Sequence, residues 1–457
     1  MLRTLADQSG ALLPARWQMS ISLGSHIVLA CFGVAFPAVI WVVHRRGIRE
    51  DDPVALGLAE RWSKVAAVLF AVGAVSGTIL SFEMGLLWPE LMRTYGSVIG
   101  LPFALEGIAF FVEAIFIGIY LYGWRRLPPR LHLAMLVPIA VAGMAGTFCV
   151  LAVNAWMNTP TGFHLVDGKV VDVDPWAAMF NPRVWLQFTH MFAATFMVVG
   201  FCTAAVYATG LLRGRDDRHH RLGFAVPFAF ATIAALTQPV LGHVLGMRLA
   251  GDQPSKLAAI EMSPHAEDHA PLAIGGVYVD GERRYAIEIP ELGSLISRAG
   301  VDRTVPGLDD IPADERPDDS LVTAVHWSFQ LMVGLGLALM ALGVGYWWSA
   351  RRGRDWLTNR WFLRAAVAAG AAAIACLELG WTTTELGRQP WIVYGYLRVT
   401  DAVTGNDGVW ITFGVLCTIY AAMGVGAAVV LRSMARRWRE GEPIDLPTPY
   451  STDAGAP

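Results

Sequence analysis

Nine long apolar runs constrain the fold of this chain more than any other feature of its sequence. They cover residues 20–44, 65–87, 98–122, 134–157, 184–212, 222–247, 322–348, 361–384 and 409–431. A run of about 18 or more mostly apolar residues is long enough to cross a bilayer as a helix. The composition agrees, because 54% of the residues are hydrophobic and only 16% are charged. We therefore expect an all-α membrane protein with nine transmembrane helices.

The distribution of Lys and Arg predicts the orientation of these helices. The two residue types concentrate in the connections after the odd-numbered runs and in the C-terminal tail. Because short cytoplasmic loops carry the excess of positive charge, the N-terminus is predicted to lie outside and the C-terminus in the cytoplasm. The net charge of −3 gives no indication of a nucleic-acid partner.

The predicted helices divide the chain into four parts. Residues 18–247 hold the first six helices, and residues 248–321 form one long loop on the predicted outer side. Residues 322–431 hold the last three helices, and residues 432–457 form a cytoplasmic tail that we expect to be disordered. A loop as long as 248–321 is usually either functional or disordered, and its segment 285–297 fits a strand or a short helix equally well.

Two histidines and one methionine in the apolar runs are candidate haem ligands. His26 and His190 each lie about two turns into a run, near its outer end. Imidazole is a common axial ligand of haem iron, although a single buried His more often hydrogen-bonds a neighbouring carbonyl. Met332 lies at a depth similar to His190, and a His and a Met on facing helices can complete a six-coordinate haem. His243 and His326 lie near run ends and are interpreted as structural polar residues.

Glutamates recur on one face of two of the predicted helices. Glu106 and Glu113 are seven residues apart, so both project from the same face of the third helix. Because buried carboxylates are costly in a membrane, they favour a proton relay over a pair of helix-packing polar groups. Glu378, Trp381 and Glu385 share a face of the eighth helix. A carboxylate at the outer position of Glu385 can ligate iron or carry protons.

The eighth run ends in a short polar motif. Arg388 is a permanent cation whose guanidinium suits carboxylates, including those of haem propionates. Pro390 ends the helix. The alternative interpretation is a capped helix with a Glu–Arg ion pair and no cofactor.

Taken together, these motifs resemble subunit I of the cytochrome bd quinol oxidases. "ELGRQPW" at 385–391 resembles the Gly-Arg-Gln-Pro-Trp signature of that family, and "SKLAAIE" at 255–261 resembles its quinol-loop motif. "PFALEG" with "FVEA", "QFTHM", "FQLMV" and "LELGW" follow in the family's order. The resemblance extends from about Gln18 to Leu431 and includes the nine spans and the long outer loop.

The resemblance implies which residues hold the haems. His190 and Met332 would ligate a low-spin haem b. His26 and Glu385 would ligate the irons of two paired haems, a high-spin haem b and either a haem d or a further haem b in its place. The resemblance does not decide which of these two residues ligates which iron.

It also implies roles for the residues around those haems. The buried glutamates would carry protons to the paired haems: Glu106, Glu113, Glu378 and Glu385. Trp381 would lie between haems, Arg388 would hold haem propionates, and Trp391 of the same motif would contribute to cofactor binding. Lys256 and Glu261 would bind or deprotonate quinol in the outer loop.

The implied activity is the oxidation of ubiquinol or menaquinol by O2 in the bacterial inner membrane, by a multi-pass protein. Protons from quinol would leave outside, whereas protons for the reduction of O2 to water would come from the cytoplasm, so the reaction would generate proton-motive force without pumping. The expected partners are subunit II of the oxidase and a small single-span subunit.

Three features of the sequence depart from the usual pattern of that family. Gln330 stands where an Arg is usual, two residues before Met332, and the loss of that cation is expected to lower the potential of the adjacent haem. The second run ends in "SFEMG", which displaces Glu83 from its usual place. The loop before the seventh run is short, as in a branch of the family that includes cyanide-insensitive oxidases with haem b in place of haem d.

Two other functions are compatible with parts of this pattern. A multi-haem cytochrome b that transfers electrons without reducing O2 would keep His190 and Met332 but would not need Glu385. A proton-coupled transporter would use Glu106, Glu113 and Glu385, would not need Met332, and would be colourless when purified.

Overall fold

Nine long helices account for most of the computed structural model, which describes residues 10–440. Within that range, nine helices are long and apolar enough to cross a membrane, as predicted. We number these helices and refer to shorter ones by their residues. They are α1 (Leu12–Glu50), α2 (Pro53–Leu87), α3 (Pro89–Gly123), α4 (Leu136–Asn158), α5 (Val184–Leu212), α6 (Arg218–Asp252), α7 (Asp319–Arg351), α8 (Arg360–Leu386) and α9 (Val409–Glu440).

Polar caps place several helix starts outside the apolar runs. The Asp52 carboxylate accepts hydrogen bonds from the backbone N–H groups of Val54 and Ala55 at the start of α2. Asp318 and Asn359 cap α7 and α8 in the same way. These side chains satisfy N–H groups that have no partner within the first helical turn. The helices therefore begin before their apolar runs do.

The first eight helices form two four-helix bundles. In the first bundle, α1 and α3 each pack against both α2 and α4. In the second bundle, α5 and α7 each pack against both α6 and α8. α5 also contacts α1 and α4, which joins the bundles, and α9 packs against α1 and α2 at the edge. One apolar core continues from the first bundle into the second.

Short elements cover the ends of the bundles. The strands pair antiparallel in the order β1 (His164–Val166) with β2 (Lys169–Val171), β3 (Leu272–Ile274) with β6 (Ile287–Ile289), β4 (Val277–Val279) with β5 (Glu282–Arg284), and β7 (Trp391–Val393) with β8 (Leu397–Arg398). The shorter helices are Pro129–Ala134, Pro175–Met179, Pro254–Glu261, Leu292–Arg298, the 3-10 turn Trp356–Thr358, and Val399–Ala402.

The large loop, residues 253–318, connects α6 to α7 and is built from these short elements. It contains the helix Pro254–Glu261, strands β3–β6 and the helix Leu292–Arg298. The segment 285–297, for which the sequence allowed a strand or a helix, forms both in succession. We call the end of the bundles that carries this loop the loop side.

The C-terminal end of the last helix differs from the expectation. α9 continues to Glu440, so residues 432–440 are helical and not part of a disordered tail. Four of its nine residues are Arg, a strong helix former, and basic side chains are favourable near a helix C-terminus. The rest of the predicted tail, residues 441–457, lies outside the described residues.

Candidate functional site

A cavity of about 1380 Å³ lies among helices α1 to α5 and the end of α8, and it extends to the loop side. Its volume exceeds the roughly 300–1,000 Å³ of a pocket for one drug-sized ligand. Seven of the residues singled out from the sequence line it: His26, Glu106, Glu113, Trp381, Glu385, Arg388 and Trp391. The structure therefore brings together residues that are far apart in the chain.

The hydrogen bonds of His26 fix which of its ring nitrogens carries the proton. Ser76 Oγ donates to the Gly73 carbonyl oxygen at 2.9 Å, and this uses the only proton of the hydroxyl. The contact of 2.9 Å between Ser76 Oγ and His26 Nδ1 must then be donated by the imidazole. Nδ1 of His26 therefore carries a proton, so Nε2 is the nitrogen that can act as a ligand in the neutral imidazole, and a ligand histidine usually has its other ring nitrogen held in this way.

Glu385 is held at the cavity wall by two polar partners. Its Oε1 accepts from Asn154 Nδ2 at 2.8 Å, and its Oε2 accepts from Arg388 Nη2 at 2.5 Å. Asn154 is oriented in turn, since its Oδ1 accepts from Gln187 Nε2 at 2.5 Å. A carboxylate fixed in this way is an oxygen donor ready for a metal ion or a proton.

Two arginines at the loop side of the cavity have unused hydrogen-bonding capacity. Nε and Nη1 of Arg388 and Nε of Arg16 are buried and have no hydrogen-bond partner among residues 10–440. Arg16 Nη2 donates to Gln389 Oε1 at 2.5 Å, so it lies beside the motif that carries Arg388. Buried N–H groups without partners are costly, and an anionic carboxylate is the group that would satisfy them. These atoms fit the propionate end of a haem.

Arg16 was not among the predicted site residues. It precedes the first apolar run, where an Arg is ordinary, and only the folded chain places it next to Gln389. No signal in a single sequence distinguishes it from other arginines near a membrane surface.

Glu106 and Glu113 both line the large cavity, as their spacing on α3 predicts. Glu113 reaches α1, where its Oε1 lies 3.1 Å from the position that a Cβ on Gly33 would occupy. Gly33 also lines a second cavity of about 30 Å³, which extends away from the loop side to Ser63 and Tyr120. That volume is roughly the share of one water molecule in the liquid.

His190 and Met332 lie in the second bundle, on helices α5 and α7 that face each other diagonally. A Cβ on Gly242 of α6 would lie 3.4 Å from His190 Cε1, and a Cβ on Gly380 of α8 would lie 3.0 Å from Met332 Sδ. Nδ1 of His190 is buried without a hydrogen-bond partner in the described part of the chain. Glycines on the two intervening helices thus allow both predicted ligand side chains to pack closely against α6 and α8.

The two predicted ligands also lie at similar depth. Gly370 of α8 packs against Cys202 of α5. Because α5 and α8 run in opposite directions, His190 lies level with residues near Gly380, and Gly380 contacts Met332. The predicted pairing of His190 with Met332 is therefore compatible with the packing of this bundle.

Lys256 is buried at the junction of the large loop and α8. Its Nζ donates to Asn158 Oδ1 at 2.9 Å, and a Cβ on Gly387 would lie 2.8 Å from Lys256 Cγ. Burial, together with the nearby cations Arg183 and Arg388, lowers the pKa of Lys256 well below its usual value. The "SKLAAIE" helix therefore touches the "GRQPW" motif, a contact that the sequence does not predict.

Glu261, the last residue of the helix Pro254–Glu261, is also buried. Burial raises its pKa to about 7, and the charge of Arg283 opposes that shift. A carboxyl group that titrates near neutral pH can accept and release protons under physiological conditions.

Two carboxylates are absent from the residues that line the large cavity. Glu378 points from α8 towards α1, with its Oε2 3.1 Å from the position of a Cβ on Gly24, whereas Trp381 and Glu385 line the cavity. Glu83 accepts a hydrogen bond of 3.0 Å from Gln18 Nε2.

Comparison with known proteins places the whole chain among related oxidases. A family model described as cytochrome bd terminal oxidase subunit I matches residues 14–439. A Bacillus subtilis (strain 168) protein provisionally named a cytochrome bd menaquinol oxidase subunit I is 34% identical over 444 residues, which cover 95% of this chain and 98% of that protein. The cytochrome bd ubiquinol oxidase subunit 1 of the same organism is 28% identical and covers 91% of this chain and 90% of its own length.

A solved structure is similar over nearly the same length. The bd oxidase from Geobacillus thermodenitrificans contains a chain with 36% sequence identity to this one. The two superpose with a TM-score of 0.88, over 94% of this chain and 99% of that chain.

Proposed function

The chain belongs to the cytochrome bd terminal oxidase subunit I family, and we propose that its residues form the haem and quinol sites of a quinol:O2 oxidoreductase. The observation that carries this proposal is the contact between two motifs. Lys256 of the large loop packs on Gly387, whose neighbours Glu385 and Arg388 line the large cavity. Quinol bound at Lys256 would therefore lie close to the cofactor sites.

His190 and Met332 would hold a low-spin haem b in the second bundle. The support is their position at similar depth on diagonal helices, with Gly242 and Gly380 of the helices between them facing His190 and Met332. A His–Met pair leaves no open coordination position, which suits electron transfer and not O2 binding.

His26 and Glu385 would hold the irons of two further haems in the large cavity. Nε2 of His26, whose Nδ1 is held by Ser76, and the oriented carboxylate of Glu385 would supply one ligand atom each. The unpartnered N–H groups of Arg388 and Arg16 would bind the propionates. The cavity is large enough for more than one ligand, and it accepts either haem d or a further haem b by volume alone. When bound, these haems would carry electrons and bind O2.

Lys256 and Glu261 would bind quinol and take up its protons. Because its pKa is well below the usual value, Lys256 can be present as a neutral amine. Glu261, with a pKa of about 7, accepts a proton readily above neutral pH. The curated relatives include a ubiquinol and a menaquinol oxidase by name, so both quinols are candidate donors.

Glu106 and Glu113 would deliver protons from the side of the membrane opposite the large loop. The support is the small cavity lined by Gly33, Ser63 and Tyr120, which has room for water and whose Gly33 lies against Glu113. With the loop side outside, as the distribution of Lys and Arg predicts, these protons would come from the cytoplasm.

The chain would work with a second membrane subunit in the bacterial inner membrane. The names of the relatives describe a first subunit, which implies at least one more. The long apolar faces of α2 and α9 are largely unburied by the described part of this chain, so they are available to lipid or to a partner subunit.

A visible spectrum of the purified protein tests this proposal. We expect a reduced-minus-oxidised spectrum with a low-spin haem b band and further haem bands that shift when carbon monoxide is added. A far-red chlorin band that responds to carbon monoxide would identify haem d, and its absence together with a carbon monoxide response would identify an oxidase with haem b only. A haem b spectrum without any carbon monoxide response would contradict the O2-reducing activity, and a colourless protein would contradict the haem sites.

A further inference from the structure

A polar stripe on α7 fastens the large loop to the helix that carries Met332. The stripe consists of Thr323, His326, Trp327 and Gln330, which recur at intervals of three and four residues and therefore share one helix face. Every member of the stripe hydrogen-bonds the backbone of the large loop.

Gln330 uses both ends of its amide to hold the loop. Its Oε1 accepts from the Gly275 N–H at 2.8 Å, and its Nε2 donates to the Ala273 carbonyl oxygen. An Arg at this position could donate but could not accept, because guanidinium has no acceptor atom. Gln330 therefore gives this chain a loop contact that an Arg at the same position could not make.

Trp327 and Thr323 hold the next residues of the loop. Trp327 Nε1 donates to the Gly276 carbonyl oxygen at 2.8 Å, and Thr323 Oγ1 accepts from the Tyr278 N–H at 2.9 Å. Gly276 has a φ of +94°, and a Cβ there would lie 2.8 Å from the Arg284 carbonyl oxygen. The loop backbone at this point is thus fitted closely to both α7 and its own hairpin.

His326 joins the loop to the C-terminal end of the helix Pro254–Glu261. One ring nitrogen, Nδ1, lies 2.6 Å from the Ile260 carbonyl oxygen, and Nε2 lies 3.1 Å from the Gly275 carbonyl oxygen. Ile260 directly precedes Glu261 in the helix Pro254–Glu261. Carbonyls in the last turn of a helix have no partner within the helix, so His326 satisfies one that would otherwise be unpaired.

The two contacts of His326 cannot both be hydrogen bonds when the imidazole is neutral. Both partners are carbonyl oxygens, which only accept, whereas neutral imidazole carries a single N–H. His326 is buried, and the charged group that acts on it from the packed elements is the cation Arg283 of β5, so burial and charge both favour the neutral imidazole. Its single N–H therefore holds one carbonyl, and the contact of Nδ1 with the Ile260 carbonyl oxygen is the shorter of the two.

We propose that His326 positions the helix Pro254–Glu261 for quinol through its hydrogen bond to the Ile260 carbonyl oxygen. His326 is a positioning residue that acts through Ile260 and Glu261. This inference rests on the proposed quinol site, since it assigns how that site is held against α7.

The test compares variants of the complete oxidase, with its partner subunit, in nanodiscs. His326→Gln keeps one neutral donor and His326→Leu keeps none. Arg284→Gln is the matched control, because it removes only an exposed ion pair with Asp280 in the same loop. KM and kcat are measured with a short-chain quinol from about pH 6 to about pH 9. Two further quantities are recorded in parallel. One is turnover with tetramethyl-p-phenylenediamine, a bypass donor that supplies electrons without needing the helix Pro254–Glu261. The other is the visible spectrum.

In His326→Leu we expect the KM for quinol to rise by about three- to tenfold, the effect of one lost hydrogen bond, at every pH measured. In His326→Gln, which keeps a donor, the increase should be smaller. Both His326 variants should keep wild-type turnover with the bypass donor and a wild-type haem spectrum. Arg284→Gln should match the wild type in every measurement.

Wild-type KM values in both His326→Leu and His326→Gln would overturn this role. If His326→Leu loses its haem spectrum, His326→Gln decides the question, and Thr323→Val tests the stripe without altering the imidazole. A wild-type protein that consumes O2 with the bypass donor but never with quinol would instead contradict the proposed quinol activity, so the two failures are distinguishable.

Discussion

At the scale of single residues, the chemistry of the large cavity depends on a hydroxyl group behind His26. Ser76 accepts the Nδ1 proton of His26 and so leaves Nε2 free as a ligand. We expect Ser76→Ala to weaken haem binding at His26 by about 10- to 100-fold, the usual effect of removing a group that orients a metal-ligating histidine. Haem content and the carbon monoxide difference spectrum measure the effect. Thr418→Val on α9 removes a similar hydroxyl bond to backbone far from the cavity and should change neither.

The raised pKa of Glu261 predicts that quinol oxidation loses rate at low pH, which gives its pH profile an acidic limb. Its folded pKa of about 7 lies above the usual value because of burial. The carboxylate that accepts a proton is therefore the main form above about pH 7 and is lost below it. We expect kcat/KM for quinol to fall about tenfold per pH unit as the pH drops below 7. Glu261→Gln should be slow and should lack this limb, and an unchanged limb in that variant would assign it to another group.

The sequence identified ligand-type residues better than their partners. His26 and Glu385 stand out because ionisable groups are rare in apolar runs. Ser76 and Asn154, which orient them, are ordinary polar residues whose roles exist only after the helices pack. His326 shows the same limit, because its position near a run end gave no indication that it contacts two loop carbonyls.

At the scale of helices, the proposed haem site of the second bundle depends on a glycine that faces Met332. Gly380→Leu would place a side chain where a Cβ already lies 3.0 Å from Met332 Sδ. We expect this variant to lose the low-spin haem band and quinol-driven turnover, while the carbon monoxide response of the large cavity remains. Gly414→Leu on α9 is the control, since a Cβ at Gly414 meets nothing within 4 Å among the described residues. Retention of the low-spin band in Gly380→Leu would place that haem elsewhere.

The nine helices could be predicted because apolar length is a local property of the chain. Their starts could be placed less well, because caps such as Asp318 and Asn359 lie outside the apolar runs. The arrangement of two bundles could not be predicted, since the hydrophobic faces of membrane helices meet either lipid or protein. The contact between Lys256 and Gly387 was equally inaccessible, because a loop and a distant helix end meet only in the folded chain.

At the scale of the whole molecule, the proposed quinol and proton-uptake sites lie on opposite sides of the membrane. Lys256 and Glu261 belong to the large loop, whereas the small cavity beyond Glu113 extends away from the loop side. Oxidation of two quinols releases four protons, and reduction of one O2 to two water molecules consumes four. Release on one side and uptake from the other would therefore move one charge across the membrane for each electron.

This separation predicts a membrane potential when the complete oxidase is reconstituted in vesicles with quinol and O2. We expect one proton released on the loop side for each electron, because no pumping is required. Glu113→Gln should slow turnover by about 100-fold or more and slow the growth of the potential in proportion, since a relay carboxylate contributes about 10²- to 10⁴-fold. A potential-sensitive dye and a pH electrode report both quantities. Quinol oxidation without a potential would show that protons are taken up and released on the same side, and a ratio well above one would require a pump that these residues do not explain.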